Sequence, residues 1–327
     1  MSAVRALLFA GGVVLLGFLV SRVGIDTLTA TLGRLTWWEL VLICLPYALI
    51  MAVDTLGWRF AFTGQPPPYL RLLAARTAGE ALNVVTAVGS VGGEAVKVWL
   101  LRGATSYEES VPSVVIAKTT ATIAQALFLL VGLVLALATP WLDGQIVTAM
   151  IALLVVETLA VAGFLLSQLG GVVGRAGRVL AWTGLVKETG AAERLDTTLR
   201  RFYREQWGRF ALSVGFHLAG WLLGVLEALV MLHVLQVHAW VTTAAVIESL
   251  GSGVRFVSFL VPGNLGVLEG ANTGVFALLG LGAGTGLAFT LVRRARQTAW
   301  IALGLVVLLV AGAVAMPVRA ARPRAPR

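Results

Sequence analysis

Val261-Pro262-Gly263-Asn264-Leu265-Gly266-Val267-Leu268-Glu269-Gly270 is the stretch on which the fold turns. It lies inside a longer apolar segment, 241–282, that also carries Glu248, Gly251, Gly253, Arg255 and Asn272. A continuous helix seldom tolerates a proline and this many glycines and charges. The segment reads as two half-helices meeting at a Gly-rich turn. An earlier segment, 72–101, reads the same way. It holds Gly79, Glu80 and Asn83, then Gly89-Ser90-Val91-Gly92-Gly93-Glu94, then Lys97.

The surroundings set these interruptions at membrane depth. The chain has 327 residues, of which 58% are apolar and 13% charged. Soluble domains carry roughly a quarter charged residues, so a soluble globular or disordered reading is excluded. Uninterrupted apolar runs near 4–21, 38–57, 113–138, 145–167, 209–235 and 287–312 approach or exceed the roughly 20 residues a spanning helix needs. The first is read as a retained helix, because Ser21-Arg22-Val23 makes a poor cleavage site. Irregular backbone at this depth survives only where protein or a wet cavity covers it. The fold class predicted is therefore an all-α polytopic membrane protein, with about six full spans and two re-entrant hairpins, 72–101 and 241–282.

Net charge is +9, and the basic residues cluster between apolar blocks. That is the positive-inside pattern, not a nucleic-acid footprint. The 170–208 loop with its Arg residues, and the tail with Arg319, Arg322, Arg324 and Arg327, are expected in the cytoplasm. So are both termini, and Arg59, Arg71 and Arg76. Arg293, Arg294 and Arg296 break the pattern, at what reads as the outer end of the last span. There they either snorkel to lipid phosphates or have a partner. An Arg-rich, Ala/Gly/Leu/Val-rich composition fits a bacterial inner-membrane protein. The single cysteine, Cys44, allows no intrachain disulfide and no zinc set.

The two interrupted segments share a spacing. Glu94 precedes Lys118, and Glu269 precedes Arg293, by 24 residues each. This predicts a repeat, 38–138 and 209–312, in opposite orientations, within one membrane domain over 1–327. Inverted repeats with broken helices are a transporter architecture.

Carboxylates in a bilayer mark functional or paired sites. Glu80, Glu94, Glu248 and Glu269 fall in the interrupted segments, and Asp54, Glu157 and Glu227 in or near spans. Glu94 is expected to pair with Lys97 or Lys118, and Glu269 with Arg255 or Arg293. Half-helix N-termini attract anions, and Arg offers a fork that matches phosphate. His217 and Glu227 fit either a proton relay or a satisfied core histidine. The 170–208 loop is either an amphipathic helix on the inner leaflet or a solvated loop. No P-loop, nucleophile elbow or metal-ligand spacing occurs.

Gly79-Glu80-Ala81-Leu82-Asn83, the turn leading to Glu94, and the 261–270 stretch followed by a basic residue opening the last helix resemble the flippase-like family. This is the transmembrane region of lysylphosphatidylglycerol synthases. The resemblance covers roughly 35–312. The stretch from Ile247-Glu248-Ser249-Leu250-Gly251 to Glu269 looks closest to the hopanoid-biosynthesis-associated branch. The resemblance implies a lipid flippase or exporter with two re-entrant hairpins. It also implies that Glu269 and Arg293 line the lipid path. Lysyl transfer belongs to a separate soluble domain, so aminoacyl transfer is not expected here. Asn264 stands where the family more often has a small residue.

Together these readings predict a transporter of a polar-headed lipid, anionic or isoprenoid-type, and not an enzyme. The residues expected to contact lipid are Glu80, Asn83, Glu94, Lys97, Lys118, Glu248, Arg255, Asn264, Glu269, Asn272, Arg293 and Arg294. No cofactor is expected. The partners expected are membrane lipids and lipid-biosynthesis enzymes, no nucleic acid, with a homo-oligomer left open. Competing readings are a scaffold acting through the basic loop, and an intramembrane transferase.

Overall fold

The computed structural model describes residues 33, 36–85, 91–170 and 190–315. The predicted span 4–21, the turn residues 86–90, Arg175, Arg178 and Lys187 of the basic loop, and the Arg-rich tail lie outside the described residues. The described chain is all-helical. Its helices are α1 (Trp37–Phe60), α2 (Tyr69–Val85), α3 (Val91–Leu101), α4 (Tyr107–Leu137) and α5 (Gly144–Leu169). After these come α6 (Gly190–Glu205), α7 (Trp207–Val234), α8 (Val241–Val257), a 3-10 turn at Pro262–Asn264, α9 (Val267–Leu278) and α10 (Ala283–Ala315). Five of them, α1, α4, α5, α7 and α10, are long and apolar enough to cross a membrane. The fold class read from the sequence is therefore correct: a polytopic α-helical membrane protein.

Each interrupted segment is a pair of short helices packed on each other, α2 with α3 and α8 with α9. With 17, 11, 17 and 12 residues, each falls short of the roughly 30 Å hydrocarbon slab at about 1.5 Å per residue. In the first pair the backbones touch. A Cβ on Gly93 would stand 2.0 Å from the Gly79 carbonyl oxygen, so only glycine fits there. In the second pair the turn takes three left-handed residues, Gly263 (φ 60°), Asn264 (φ 51°) and Gly266 (φ 78°). Asparagine tolerates this region better than other side-chain residues, and its Oδ1 accepts the Ser258 hydroxyl at 3.0 Å. Asn264 therefore fits this turn.

Two helix starts differ from the sequence reading. The third span begins at Tyr107, not 113, because Glu108 and Glu109 occupy its first turn, where carboxylates favour the positive end of the helix dipole. The last begins at Ala283, not 287. Gly280 and Gly282, at φ 70° and 88°, make the turn just before it.

The element order repeats. α1–α4 have 24, 17, 11 and 31 residues, and α7–α10 have 28, 17, 12 and 33. The packing also exchanges: α2 lies on α10 as α8 lies on α4, while α1 and α7 pack on each other. Small residues permit these contacts, as usual between helices in lipid. Gly304 of α10 seats against Ala81 and the Thr77 carbonyl of α2.

Two apolar cores hold the bundle. One gathers Phe128, Met231, Phe276 and Phe289 of α4, α7, α9 and α10. The other gathers Trp58, Phe62, Leu101 and Ile116 with Leu199 and Phe202 of α6. The described end of the basic loop is thus an amphipathic helix whose apolar face is spent on the bundle. Tyr203 donates its hydroxyl to Gln168 Oε1 at 2.6 Å, anchoring α6 to α5.

Candidate functional site: a charged chamber between the two helical blocks

The helices surround a cavity of about 870 Å³, lined from α1 to α5 and from α7 to α10. Its size is that of a ligand site, about 300–1,000 Å³, but its wall is heavily ionised. Among the described lining residues are the cations Arg76, Lys97, Lys118, Arg255, Arg293 and Arg296. Facing them are the carboxylates Asp54, Glu80, Glu94, Glu227 and Glu248.

The wall charges are wired in pairs. On the first hairpin Lys97 Nζ donates to Glu80 at 2.7 Å and to Glu94 at 3.1 Å. Asn83 links the two helices: its Nδ2 donates to Glu94 Oε1, and its Oδ1 accepts the Gly93 N–H at 3.0 Å. On the second, Glu248 receives Arg255 at 2.7 Å and Arg293 at 2.5 Å. Arg255 also lies over the Trp221 ring, 5.7 Å from its centroid. Between the hairpins Arg296 Nη2 lies 2.8 Å from Glu227 and over Tyr47, 3.9 Å from the ring centroid. Asp54 accepts Arg76 at 2.8 Å and lies 2.9 Å from His217 Nδ1. Isolated charges at this depth are costly; paired and hydrogen-bonded, they are retained.

Behind the wall, Arg294 braces the second turn. Its Nε donates to Glu269 at 2.5 Å and its Nη1 to the Gly263 carbonyl at 2.9 Å. Glu269, fully buried, uses its other oxygen to accept the Gly266 N–H at 2.8 Å. Asn272 donates to Thr290 at 2.7 Å, joining α9 to α10.

Nine of the twelve residues expected to contact lipid line the chamber: Glu80, Asn83, Glu94, Lys97, Lys118, Glu248, Arg255, Asn264 and Arg293. The other three, Glu269, Asn272 and Arg294, stand behind it. Of the expected pairings, one holds and one differs. Of its two expected partners, Glu94 takes Lys97. Glu269 takes neither Arg255 nor Arg293, both of which serve Glu248, but Arg294. The matched spacing therefore does not mark matched ion pairs. Lys118 is exposed to the chamber and has no ion-pair partner among the described residues.

Protein side chains already occupy part of the half-helix N-termini expected to attract anions. Asn83 takes an N–H at the start of α3, and the carboxylate of Glu269 already sits at the start of α9. The arginine cluster is not at a helix end. Arg293 lies about 15 Å along α10 from Ala283, and Arg293 and Arg296 are largely buried in ion pairs. Snorkelling to lipid phosphates is excluded for these two. Arg76, read as a cytoplasmic marker, also belongs to the chamber. His217 is a core histidine, 1% exposed, with its Nδ1 held by Asp54 and its Nε2 without a hydrogen-bond partner among the described residues. Sequence reasoning missed the roles of Arg76, Tyr47, Arg296 and Trp300. The available signal was charge in the middle of long helices.

Membrane-length helices around an ionised, partly apolar chamber define a class: polytopic membrane proteins that enclose polar groups between their helices. The chain belongs to the family described as the lysylphosphatidylglycerol synthase TM region, whose model matches residues 3–304. Membership connects it with lipid-related function in the membrane. No curated protein and no solved structure matches it.

Proposed function

We propose that this protein carries a polar-headed lipid, anionic or isoprenoid-type, between the leaflets of a bacterial inner membrane, with both termini cytoplasmic. One observation supports the reading above all: an ionised chamber meets exposed apolar residues at its edge. Phe259 and Leu260, 64% and 57% exposed, and Phe164, 46%, belong to both the lining and the outer surface. A headgroup inside the chamber would leave its acyl tails beside these residues, in lipid. The protein acts on the lipid's position and not its covalent structure.

The repeated element order fits this use. If each short pair re-enters and returns, α1–α4 cross the membrane an even number of times. The single span α5 then inverts the second block relative to the first. Inverted blocks present similar walls to the two sides, as alternating exposure requires. The branch-level resemblance to hopanoid-associated proteins makes an isoprenoid-type lipid one cargo to assay.

Translocation of headgroup-labelled lipid in proteoliposomes tests the reading. Thr122 lines the chamber and takes part in no ion pair. Thr122→Trp should block the chamber and slow translocation at least tenfold, with unchanged thermal stability. Equal rates in protein-containing and empty vesicles would refute transport.

A further inference from the structure

The chamber carboxylates Asp54, Glu80, Glu94, Glu227 and Glu248, and Glu269 behind them, each meet an Arg or Lys. Glu157 of α5 meets neither among the described residues. It is 0% exposed, and neither of its carboxylate oxygens has a hydrogen-bond partner there. The helix that carries it is the least buried of the five membrane-length helices. Its inward stripe runs through Ile146, Met150, Leu153, Glu157, Val161 and Phe164, at the three- and four-residue steps of one helix face. Leu153 is packed tightly: a Cβ on Gly253 of α8 would stand 3.1 Å from it. Val161 and Phe164 line the chamber. Glu157 therefore sits one turn from the chamber edge, behind Val161.

Three helices pack on α5: α4, α8 and α6. Lys118 of α4, and Glu248 and Arg255 of α8, face the chamber, the last two paired with each other. Glu108 and Glu109 stand at the start of α4, engaged by Arg194 and Thr105. α6 turns Asp196 and Tyr203 inward, and Tyr203 meets α5 at Gln168, about 16 Å along the helix from Glu157. Gln168, the other buried polar side chain in the second half of α5, is satisfied at both ends of its amide by Thr119 and Tyr203. None of these groups pairs with Glu157.

A buried carboxylate without water, cation or donor is too costly to stay ionised, and such a group takes up a proton instead. We propose that Glu157 is a proton-binding site, occupied in this conformation and closed off from the chamber by one helical turn. A shift of α5 away from α4 and α8 would bring the carboxyl to chamber water. There its O–H bond breaks, the proton passes to water, and the carboxylate remains until a proton returns. Opening to the two sides in turn would couple proton and lipid movement. That coupling rests on the transport reading; the proton site does not.

Two substitutions test the site. Glu157→Gln keeps the shape and removes the titratable group. Glu157→Leu removes the polar group altogether. Infrared spectra of the purified full chain at neutral pH should contain a protonated-carboxyl C=O band that both variants lack. Glu157→Leu should unfold at the wild-type temperature or above it, since no partner is stranded. In proteoliposomes with the membrane potential clamped, a gradient of about one pH unit should drive headgroup-labelled lipid to about a tenfold imbalance between leaflets. That ratio is the equilibrium for one proton per lipid. Glu157→Gln should leave the leaflets equal.

A spectrum without the band, a band unchanged in both variants, or a marked fall in the stability of Glu157→Leu would overturn the proton site. Glu157 would then be an ionised, partnered group. Labelled lipid that exchanges but stays evenly distributed in wild-type vesicles would overturn the coupling. No exchange above empty vesicles would refute transport, with the proton site still upheld by its band.

Discussion

Arg294 holds Glu269 at 2.5 Å, and the same carboxylate caps the first turn of α9 through the Gly266 N–H. One buried charge thus fixes three things: the start of α9, the left-handed turn before it, and the seat of α10. Arg293, its neighbour in sequence, faces the chamber and serves Glu248 instead. Adjacent arginines therefore divide their work between bracing a hairpin and lining a cavity.

Breaking the brace should cost stability before it costs recognition. Arg294→Met leaves a fully buried carboxylate without its cation, a loss of about 3–5 kcal/mol. Thermal unfolding in detergent should show a marked fall for Arg294→Met. Arg294→Lys, which keeps the charge but loses the fork, should fall less. Equal stability for all three proteins would contradict the brace.

The contact between α2 and α3 has no room for a methyl group. Gly93→Ala must push a Cβ into the Gly79 carbonyl, and forcing atoms into a packed contact costs about 1–3 kcal/mol. Gly163→Ala, with nothing within 4 Å of the added carbon, should match the wild type in unfolding temperature. A tolerated Gly93→Ala would mean that the two helices are not packed this closely.

Inside the chamber, the Arg296–Glu227 pair should behave as a unit. Arg296→Met alone strands a buried carboxylate. Arg296→Met with Glu227→Leu should recover most of the lost stability, because a buried pair replaced by apolar residues is often neutral. A double-mutant cycle on unfolding temperature checks this. Strictly additive losses would show that the two side chains do not interact.

These pairs mark the boundary of what the sequence reveals. Both hairpins were legible because glycine, proline and charge interrupt apolar runs at 72–101 and 241–282, and such interruptions are local. Which carboxylate meets which cation was not. Glu269 has Arg255, Arg293 and Arg294 at comparable sequence distance, and only the rotation of α10 selects Arg294. That rotation also decides that Arg293 and Arg296 are buried, and it depends on where α10 begins. Gly282-Ala283-Gly284-Thr285-Gly286 reads as a loop, yet all but Gly282 are helical. Gly286 is there because α10 crosses the Asn272 carbonyl, 2.3 Å from where a Cβ would stand. A packing glycine and a loop glycine look alike in sequence.

The α6 anchor, on a helix that is not among the membrane-length ones, is titratable. Burial pushes the Tyr203 phenol up to about 12, so the folded protein binds this proton more tightly than the unfolded chain does. Its contribution is complete below about pH 10, the ordinary tyrosine value, and is lost as pH rises towards 12. Tyr203→Phe should remove that alkaline loss, along with about 1 kcal/mol of the anchoring hydrogen bond. Protease protection of the 190–205 helix against pH would show it. A wild-type profile identical to that of Tyr203→Phe would contradict the anchor.

A headgroup path through the charged chamber requires that the chamber sit within the lipid slab. Replacing Cys44, the sole cysteine, gives a background in which Asn83→Cys and Asn264→Cys each carry one nitroxide label. In proteoliposomes, relative accessibility to oxygen and to a water-soluble nickel chelate reports the depth of each label. Both positions should lie at the depth of the hydrocarbon slab while remaining reachable by the chelate through the chamber. Labels at the height of bulk solvent, outside the lipid, would make these charges ordinary surface groups and contradict a headgroup path through them.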